Sequence, residues 1–482
     1  MLAKKGSLFA RLAAGFGMVA IGYVGSFGFA PNYLWPLTVL SIAAAYYLSE
    51  NKGYGIGFWW GAGYGCAVFS WALHFLFASS RIVDNPWQLY SIGFISLGLY
   101  CGLLFGMPFF LTAKTSAAGW RRTVCFALAW TLVLWFREYF VLGFPMNPIA
   151  NLTLPSVRLS GLLSVFGTVG LTFVLVGCIC AVPEYIRTKS KWQFLFLVPL
   201  LMCFFVPWQS IKSADMTVRI VQPAISTDEK LDSAKRKRNL ETLIDLSVQK
   251  NGIMPDLIIW PETIYPYVVN DVVKMPSLGI PYIAGVNYRK LMLKNGVYNP
   301  SYGDLYNKMW LMDKNGNLTD SYAKSTLLPF GEYQPLPFLP SLGKKTPGDG
   351  PKIIQNFVPS ICYEIIFSDR LVVGEPEFIV NISDDNWFGA SRGPYLHLDM
   401  ARNQAIETGL PVIRANQSGI SAVIDSRGRI VKSLGLYEKG IIDAKVPPAE
   451  MTVYRKIGLN KTMLGIILLS GFILVAFRKK KN

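Results

Sequence analysis

The first part of the chain is a series of apolar stretches separated by short polar connections. Each stretch is near the ~20 residues that a helix needs to cross a bilayer. The predicted spans cover residues 8–27, 35–48, 55–77, 90–112, 124–140, 162–182 and 194–207, and a last one covers 463–477. The first span has the basic start and apolar body of a signal peptide, but no clear cleavage site follows it. We therefore expect about eight retained transmembrane helices.

Residues 211–458 follow a different pattern, with short β-rich runs in place of long apolar stretches. The runs cover 217–222, 257–260, 282–286, 307–312, 378–381, 412–415 and 420–425, and the helical period appears at 234–249. Asn315-Gly316 and Arg427-Gly428 predict tight hairpin turns. Strands mixed with helices at this spacing predict a layered α/β sandwich. The predicted domains are 1–210 (membrane helices), 211–458 (α/β domain) and 459–482 (last helix and basic tail).

Charge and composition agree with a membrane protein. The net charge is +17, and 52% of the residues are hydrophobic, which is too apolar for an ordinary soluble enzyme. The basic residues flank the apolar spans, as at Lys4-Lys5 and Arg478-Lys479, and do not form one aromatic-laced groove, which disfavours nucleic acid as a partner. The positive-inside rule then places both termini in the cytoplasm and residues 211–458 on the opposite side of the membrane.

Cys362 is the only cysteine outside the apolar spans. The domain at 211–458 therefore has no internal disulfide, and with only His74 and His397 in the chain a zinc site is disfavoured. We expect no metal and no other cofactor. Cys362 follows an apolar run, a pattern typical of a strand that delivers a nucleophile to a sharp turn. The alternative for this residue alone is a buried structural cysteine.

Two other stretches place single charged residues beside apolar runs. One ends in Trp260-Pro261-Glu262, which puts a carboxylate at the tip of a predicted strand, where it could accept a proton. The other begins at Lys324, whose fixed positive charge suits a developing oxyanion. Taken singly, these residues are more often a loop glutamate and a solvated lysine. Together with Cys362 they form a complete Glu–Lys–Cys set for acyl transfer, and His397 is an alternative base.

Several motifs of the predicted α/β domain occur in a fixed order along the chain. They are Trp260-Pro261-Glu262, then Lys324 with Pro329-Phe330-Gly331-Glu332, then Cys362-Tyr363-Glu364, then Asn386-Trp387-Phe388-Gly389, then Arg414-Ala415-Asn416. In this order they resemble the catalytic signatures of the nitrilase (carbon–nitrogen hydrolase) superfamily. With predicted spans on both sides of the domain, the whole chain resembles the apolipoprotein N-acyltransferase family. The resemblance implies an αββα sandwich beside a polytopic helical membrane domain.

The resemblance also implies a reaction. Members of the family take an acyl chain from a membrane phospholipid, typically phosphatidylethanolamine, onto the cysteine as a thioester. They pass it to the free α-amino group of the S-diacylglyceryl N-terminal cysteine of an apolipoprotein, with ping-pong kinetics. The expected location is the bacterial cytoplasmic (inner) membrane, with the catalytic domain on the periplasmic side, and the expected state is a monomer.

Residue roles follow from the same resemblance. It implies that Cys362 is the nucleophile, Glu262 the general base and Lys324 the oxyanion stabiliser. The supporting residues that it implies are Glu332, Tyr363, Glu364 and Trp387. His397 is expected to be structural.

Two features depart from the family pattern, and two others have no fixed role. Leu231 follows Lys230 where relatives have tryptophan, and Asp384-Asp385-Asn386 replaces a more usual Asn-Asp-Ala. The Pro-rich stretch 334–340 is predicted to be a lid that contacts acyl chains or, equally, a packed loop. For Arg137 the alternatives are a contact with a lipid phosphate and snorkelling toward the membrane surface, and snorkelling is expected.

Two other functions fit part of the pattern. A membrane-tethered hydrolase of the same fold would use water as the acceptor and cleave a small amide or nitrile, but hydrolysis does not explain so many spans. A transporter or receptor would place ionisable residues along a pathway inside the spans, and most of the predicted spans carry none. Acyl transfer is therefore the predicted function.

Overall fold

The computed structural model describes residues 8–50, 53–78, 85–115, 117–140, 144–206, 208–211, 214–270, 273–290, 292–294, 297–299, 303–335, 343–367 and 369–476. The chain divides into two compact units. One comprises Met1–Pro207 and Lys456–Asn482, and the other comprises Trp208–Arg455. Most of the predicted lid, at 336–340, lies outside the described residues.

The first unit is helical. Its helices are α1 (Leu8–Gly25), α2 (Trp35–Leu48), α3 (Gly53–Phe69), α4 (Phe75–Ala78), α5 (Pro86–Lys114), α6 (Trp120–Tyr139), α7 (Val157–Ser160), α8 (Leu163–Thr188) and α9 (Val198–Leu201). The last helix of the chain, Val453–Ala476, begins at the end of the second unit and continues into the first. Short 3-10 turns extend several of these helices, for example Ser70–His74 after α3.

Within the described ranges, four helical segments are long and apolar enough to cross a membrane. They are Phe9–Gly28, Pro86–Lys114, Leu163–Thr188 and Val453–Val475. Two further apolar helices, Trp35–Leu48 and Trp192–Phe204, are shorter. Helix α3 has 17 residues, and α6 has 20 residues but carries three arginines and a glutamate. The total of about eight spans therefore stays a prediction.

Close backbone contacts and buried polar groups hold the helices of this unit together. A Cβ atom at Gly22 would lie 2.2 Å from the carbonyl oxygen of Trp60, so the glycine lets α1 and α3 approach closely, as small residues do between membrane helices. Arg122 and Tyr46 both contact a carboxylate oxygen of Glu184, at 3.2 and 3.0 Å, which ties α6 and α2 to α8.

The expectation that Arg137 snorkels is wrong. Its side chain is buried, with 3% of the residue exposed, and it donates hydrogen bonds to the carbonyl oxygens of Phe144 and Met146, the latter at 2.8 Å. These carbonyls follow the end of α6, and they give the guanidinium polar partners inside the protein. A side chain with such partners does not need to reach the membrane surface for solvation.

In its described residues, the second unit contains two large sheets, two small two-stranded ladders and three α-helices besides the start of Val453–Ala476. Its strands are β1 (Gln209–Ser210), β2 (Thr217–Gln222), β3 (Leu257–Ile259), β4 (Val268–Val269), β5 (Tyr282–Arg289), β6 (Met292–Lys294), β7 (Val297–Asn299), β8 (Leu305–Met312), β9 (Leu318–Ala323), β10 (Phe357–Ile361), β11 (Phe378–Ser383), β12 (Val412–Asn416), β13 (Ser421–Ile424), β14 (Ile430–Leu434), β15 (Gly440–Lys445) and β16 (Glu450–Met451). Its helices are α10 (Thr227–Leu231), α11 (Arg236–Val248) and α12 (Gly393–Thr408).

One sheet has the strand order β15-β2-β3-β5-β8-β9, with β4 beside β5, and the other has the order β10-β11-β12-β13-β14. Strands β2, β3 and β5 are parallel to one another, and so are β10, β11 and β12, with antiparallel strands added at the edges. β1 pairs with β16 and β6 pairs with β7 in two small separate ladders.

The main apolar core lies between the two sheets. Side chains such as Ile220 and Ile259 from one sheet pack in the same buried cluster as Ile361 and Val380 from the other. A second cluster joins the outer face of the first sheet to α11 through Leu243 and Leu246. Helix α12 contacts β12 of the second sheet. The unit is therefore a four-layer αββα sandwich.

This arrangement brings several loops to one place. Glu262, Cys362 and Asp384 follow the carboxyl ends of β3, β10 and β11, and these ends are where open parallel sheets form their sites.

Candidate active site

Cys362 lies at a sharp turn between β10 and the 3-10 helix Cys362–Ile366. Its φ angle is 50°, a left-handed conformation that non-glycine residues adopt rarely and that is found where the fold imposes it, often at functional sites. The residue is buried, with 7% exposed. The turn is held by Glu364, whose carboxylate accepts a hydrogen bond of 2.8 Å from the backbone N–H of Ile361. The strand and turn predicted for Cys362 are both present.

Glu262 follows β3 through Trp260 and Pro261, and its carboxylate has three polar neighbours. Oε1 accepts a hydrogen bond of 2.6 Å from Nδ2 of Asn307 and lies 3.5 Å from Nζ of Lys324. Oε2 accepts a hydrogen bond of 2.9 Å from the backbone N–H of Asp384. Fixed donors on both oxygens hold the carboxylate in one orientation, as a base aimed at one proton requires.

Lys324 is buried between two carboxylates. Its Nζ lies 2.8 Å from Oε2 of Glu332 and 3.5 Å from Oε1 of Glu262. Burial by itself lowers the pKa of Lys324, but the carboxylates of Glu332 and Glu262 outweigh it and hold that pKa well above its ordinary value. The lysine is therefore a permanent positive charge in the site.

Glu332 has two lysine partners. Burial raises the pKa of Glu332, but Lys324 and then Lys345, whose Nζ is 3.6 Å from Oε1, lower it to about 2. Glu332 also accepts a hydrogen bond of 2.9 Å from the backbone N–H of Leu328, and it shares the amide group of Asn307 with Glu262. Glu332 is therefore charged at neutral pH and orients both Lys324 and Asn307.

The thiol of Cys362 is electrostatically coupled to Glu262 and Lys324. Burial raises the pKa of Cys362 far above its ordinary value, the Glu262 carboxylate raises it further, and Lys324 lowers it. At neutral pH the resting group is a thiol. Because the thiolate is the nucleophile, the site needs a base that removes the proton as the reaction proceeds, and Glu262 can fill that role.

Glu364 positions the segment that carries Lys324. Its Oε1 accepts hydrogen bonds from Tyr322 Oη at 2.7 Å, from the N–H and hydroxyl of Ser325 at 2.7 and 3.0 Å, and from the N–H of Thr326 at 3.0 Å. Burial raises the pKa of Glu364, and these donors act against that shift. One buried carboxylate thus links the Cys362 turn to the Lys324 loop.

The two aromatic residues predicted to support the site lie near its turns. Tyr363 is buried and packs edge-to-face on Phe367, with 5.0 Å between ring centroids. Trp387 is half-buried in the 3-10 helix Asp385–Phe388. The supporting roles predicted for both residues stay predictions.

His397 contacts the backbone carbonyl of Cys362, and this contact is not that of a general base with the thiol. Its Nε2 lies 3.2 Å from the carbonyl oxygen of Cys362, and its Nδ1 lies 2.9 Å from Asp385 Oδ1. Arg414 donates to the other oxygen of Asp385 at 2.7 Å. Burial raises the pKa of Asp385, but Arg414 and His397 lower it well below its ordinary value. This geometry supports a structural role for His397.

Asn307 and Lys345 contact carboxylates of the site but have no counterpart in the sequence-based prediction, and Asp384 appears there only as a departure from the family pattern. Asn307 lies in the middle of β8, and nothing in a strand pattern singles out its side chain. Asp384 acts through its backbone N–H, which a sequence does not reveal. Within the described residues, no cluster of three or more His, Cys, Asp or Glu side chains could hold a metal ion.

Comparison with known protein families covers both units. A family model for carbon–nitrogen hydrolases matches residues 217–456, and a model for the apolipoprotein N-acyltransferase N-terminal domain matches residues 21–181. Among solved structures, an amidase from Nesterenkonia sp. aligns with a TM-score of 0.37 at 15% identity, over 53% of this chain and 98% of the amidase. The two family models define the class of protein as a carbon–nitrogen hydrolase domain joined to a helical membrane domain.

Relatives of known name identify the family within this class. The apolipoprotein N-acyltransferase of Rickettsia prowazekii is 30% identical over 93% of this chain and 95% of that relative, and that of Rickettsia typhi is 32% identical over 76% and 80%. The protein of the same name from Rhodopseudomonas palustris is 26% identical over 95% and 94%. The chain belongs to the apolipoprotein N-acyltransferase family.

These matches confirm the family, the two-part fold and the prediction of an acyltransferase, and they favour that prediction over the tethered hydrolase. The protein is an integral membrane enzyme.

Proposed function

We propose that the protein transfers an acyl chain from a membrane phospholipid to the free α-amino group of the S-diacylglyceryl N-terminal cysteine of apolipoproteins, through a thioester on Cys362. The observation that carries this proposal is the buried set of Glu262, Lys324 and Cys362, in which Nζ of Lys324 lies 3.5 Å from Oε1 of Glu262 and Cys362 occupies a left-handed turn with a φ of 50°. A thioester divides the transfer between two lipids into two steps.

In the first step, Glu262 accepts the proton of the Cys362 thiol as the sulfur attacks the ester carbonyl of the phospholipid. The carbonyl oxygen gains negative charge, and the ammonium of Lys324 stabilises it. The tetrahedral intermediate expels the alcohol oxygen of the lysophospholipid, which takes the proton from Glu262. The products are the acyl thioester and a lysophospholipid with a free hydroxyl group.

In the second step, the α-amine of the apolipoprotein attacks the thioester carbonyl. Glu262 accepts a proton from the attacking nitrogen, and Lys324 again stabilises the oxyanion. Collapse of the intermediate breaks the carbon–sulfur bond, and the thiolate recovers its proton from Glu262. The products are an amide on the apolipoprotein and the free thiol.

The membrane domain supports a lipid donor and a lipid-anchored acceptor. Both substrates have acyl chains in a bilayer, so an enzyme anchored in the same bilayer can meet both of them. The proposed location is the bacterial inner membrane, with residues 211–458 on the periplasmic side and both termini in the cytoplasm. The proposed domains are the predicted ones, 1–210, 211–458 and 459–482. The proposed donor is phosphatidylethanolamine, and the proposed state is a monomer.

The test is intact mass spectrometry of the detergent-solubilised protein after incubation with phosphatidylethanolamine vesicles. We expect a hydroxylamine-labile gain of one acyl chain, absent in Cys362→Ala and retained in Cys66→Ala, which removes a partly exposed thiol of α3. A diacylated lipopeptide should then discharge the adduct onto its amine. Release of free fatty acid with the lipopeptide unchanged would instead support the hydrolase. An adduct that still forms in Cys362→Ala would show that Cys362 is not the nucleophile.

A further inference from the structure

Lys230 is a partly buried cation that the proposed mechanism does not use. Its side chain is 17% exposed, and its ammonium lies within hydrogen-bond distance of three groups on three loops. These are the hydroxyl of Thr263 at 2.7 Å, Oδ2 of Asp384 at 2.6 Å and Oε1 of Gln417 at 3.1 Å. An ammonium has three N–H donors, so every donor of Lys230 has an acceptor.

The three loops follow β3, β11 and β12, and two of them carry groups of the candidate active site. Thr263 is the residue after Glu262. Asp384 donates its backbone N–H to Oε2 of Glu262 at 2.9 Å. Lys230 is therefore linked to the Glu262 carboxylate indirectly in two ways. It contacts Thr263, the next residue in the chain, and it contacts Asp384, whose N–H binds Glu262.

The segment that presents Lys230 is itself fixed. Helix α10 begins with a capping box between Ser226 and Glu229. The carbonyl oxygen of Ile225, just before it, accepts hydrogen bonds of 2.9 Å from the amide groups of both Asn386 and Gln417. The ammonium is thus held in place by its own backbone, and its position is not set by the three acceptors alone.

Asp384 adds a further buried carboxylate to the site, on the residue whose backbone N–H contacts Glu262. Its side chain is only 4% exposed, and burial raises its pKa, Lys230 lowers it, and Glu262 raises it. Two carboxylates that share a buried site compete for a proton unless a cation neutralises one of them. Lys230 supplies this cation, because it contacts Asp384 directly.

We propose that Lys230 is a positioning residue for acyl transfer. Its ammonium pins the Asp384 loop so that the Asp384 N–H orients the Glu262 carboxylate, and its charge neutralises Asp384 so that Glu262 alone accepts the proton from the thiol. This inference rests on the proposed roles of Glu262 and Cys362. The other titratable groups that act electrostatically on these residues are Lys324, Glu332, Lys345, Cys362 and Asp385, and the variants of Lys230, Asp384 and Lys235 below leave all of them unchanged.

The test measures thioester formation on the full-length protein with phosphatidylethanolamine vesicles, as a function of pH and lipid concentration. For Lys230→Met we expect the maximal rate to fall by about 10- to 100-fold, as misplacement of a catalytic group does, with KM changed by less than about twofold. The acid limb of the pH–rate profile should move to higher pH, because loss of the cation favours protonation of the two carboxylates.

Three further variants separate positioning from a general loss of structure. Asp384→Asn keeps the backbone N–H and removes one negative charge, so its acid limb should move to lower pH. The double variant Lys230→Met/Asp384→Asn should have an acid limb closer to that of the unmodified protein than Lys230→Met alone. Lys235→Met removes a half-exposed lysine 3.9 Å from Glu229 and should match the unmodified protein.

The outcomes distinguish this inference from the proposed function. If Cys362→Ala still forms the adduct, the proposed function fails, whatever Lys230 does. If Cys362 forms the adduct and both Lys230→Met and Asp384→Asn keep the rate and acid limb of the unmodified protein, the Lys230 inference is overturned. If Lys230→Met does not accumulate as folded protein, the acid limb of Asp384→Asn decides: a shift to lower pH supports the inference, and an unmoved limb contradicts it.

Discussion

Lys324 and Glu332 form a buried ion pair, with 2.8 Å between Nζ and Oε2. Glu262 is a more distant neighbour of the same ammonium, at 3.5 Å. A buried cation needs a close counter-charge, and Glu332 supplies it. Glu262 is then not required to neutralise Lys324, so it can change its protonation state during the reaction while the lysine stays charged.

The pair makes stability depend on pH. The folded pKa of Glu332 is about 2 against an ordinary 4.5, so its stabilising effect is complete above about pH 5 and is lost as the pH falls from about 4.5 toward 2. At pH 7 we expect Glu332→Gln to lower Tm by at least about 5 °C, because it leaves Lys324 without its closest partner. The difference from the unmodified protein should shrink as the pH falls below 4.5, as measured by differential scanning fluorimetry in detergent.

A surface pair provides the control for this prediction. Lys352 and Asp320 lie 2.6 Å apart, and both side chains are about 40% exposed. Such pairs contribute at most about 1 kcal/mol, so Asp320→Asn should change Tm little at any pH. A Tm for Glu332→Gln that stays as close to the unmodified protein as that of Asp320→Asn would show that the buried pair does not stabilise the fold.

Glu364 links the Cys362 turn to the Lys324 loop. Glu364→Gln tests this link with the smallest change of shape. A glutamine can keep one oxygen facing Tyr322, Ser325 and Thr326, but its NH2 group then faces the N–H of Ile361, which loses its acceptor. We expect a loss of about 1–3 kcal/mol in stability and a slower rate of thioester formation. Both are measurable on the same sample, by thermal unfolding and by mass spectrometry.

Tyr322→Phe is a smaller change at the same carboxylate and serves as the comparison for Glu364→Gln. It removes one of the donors to Glu364 and leaves the N–H of Ile361 bonded. It should lose less stability and less activity than Glu364→Gln. Equal losses in the two variants would mean that the bond to Ile361 does not fix the turn.

Asn307 bridges the two carboxylates of the site. Its Nδ2 donates to Oε1 of Glu262 at 2.6 Å and to Oε1 of Glu332 at 3.1 Å. Asn307→Asp replaces this donor by a carboxylate of the same shape, next to those of Glu262 and Glu332. We expect slower thioester formation and an acid limb of the pH–rate profile at higher pH, because like charges favour protonation. Asn307→Ala removes the donor without adding charge, so its acid limb should move less, and a larger movement would contradict the electrostatic explanation.

Part of the fold was predictable because its apolar pattern is strong. Strand β2 has the predicted limits, and α11 lies within the predicted helix at 234–249. Turns at Asn315-Gly316 and Arg427-Gly428 connect β8 to β9 and β13 to β14, and both glycines have positive φ. The pattern missed several strands. Two of them, β9 and β14, are mostly half-buried or exposed and show little apolar alternation, and β15 was missed because its buried residues include Asp443, which pairs with Arg219.

The site was predictable only where a side chain carries the chemistry. Glu262, Lys324 and Cys362 stand out as charged or nucleophilic residues beside apolar runs. The contribution of Asp384 to Glu262 is a backbone N–H, and that of Asn307 depends on which residue lies across the sheet. Arg137 was misjudged because its partners are backbone carbonyls nearby in the chain, which no residue pattern records.

Glu262 and Lys324 act on the Cys362 thiol with opposite signs. The carboxylate raises the pKa of Cys362, and the ammonium lowers it. Both Glu262→Gln and Lys324→Met should slow thioester formation by about 10²- to 10⁴-fold, one through loss of the base and the other through loss of oxyanion stabilisation. Alkylation by iodoacetamide needs only the thiolate, so at pH 9 it should be faster in Glu262→Gln and slower in Lys324→Met than in the unmodified protein. Mass spectrometry of the Cys362 peptide measures both rates. A decrease of alkylation in both variants would indicate that the substitutions disrupt the pocket, and the opposite changes would show that the two charges control the thiol separately from their roles in the transfer.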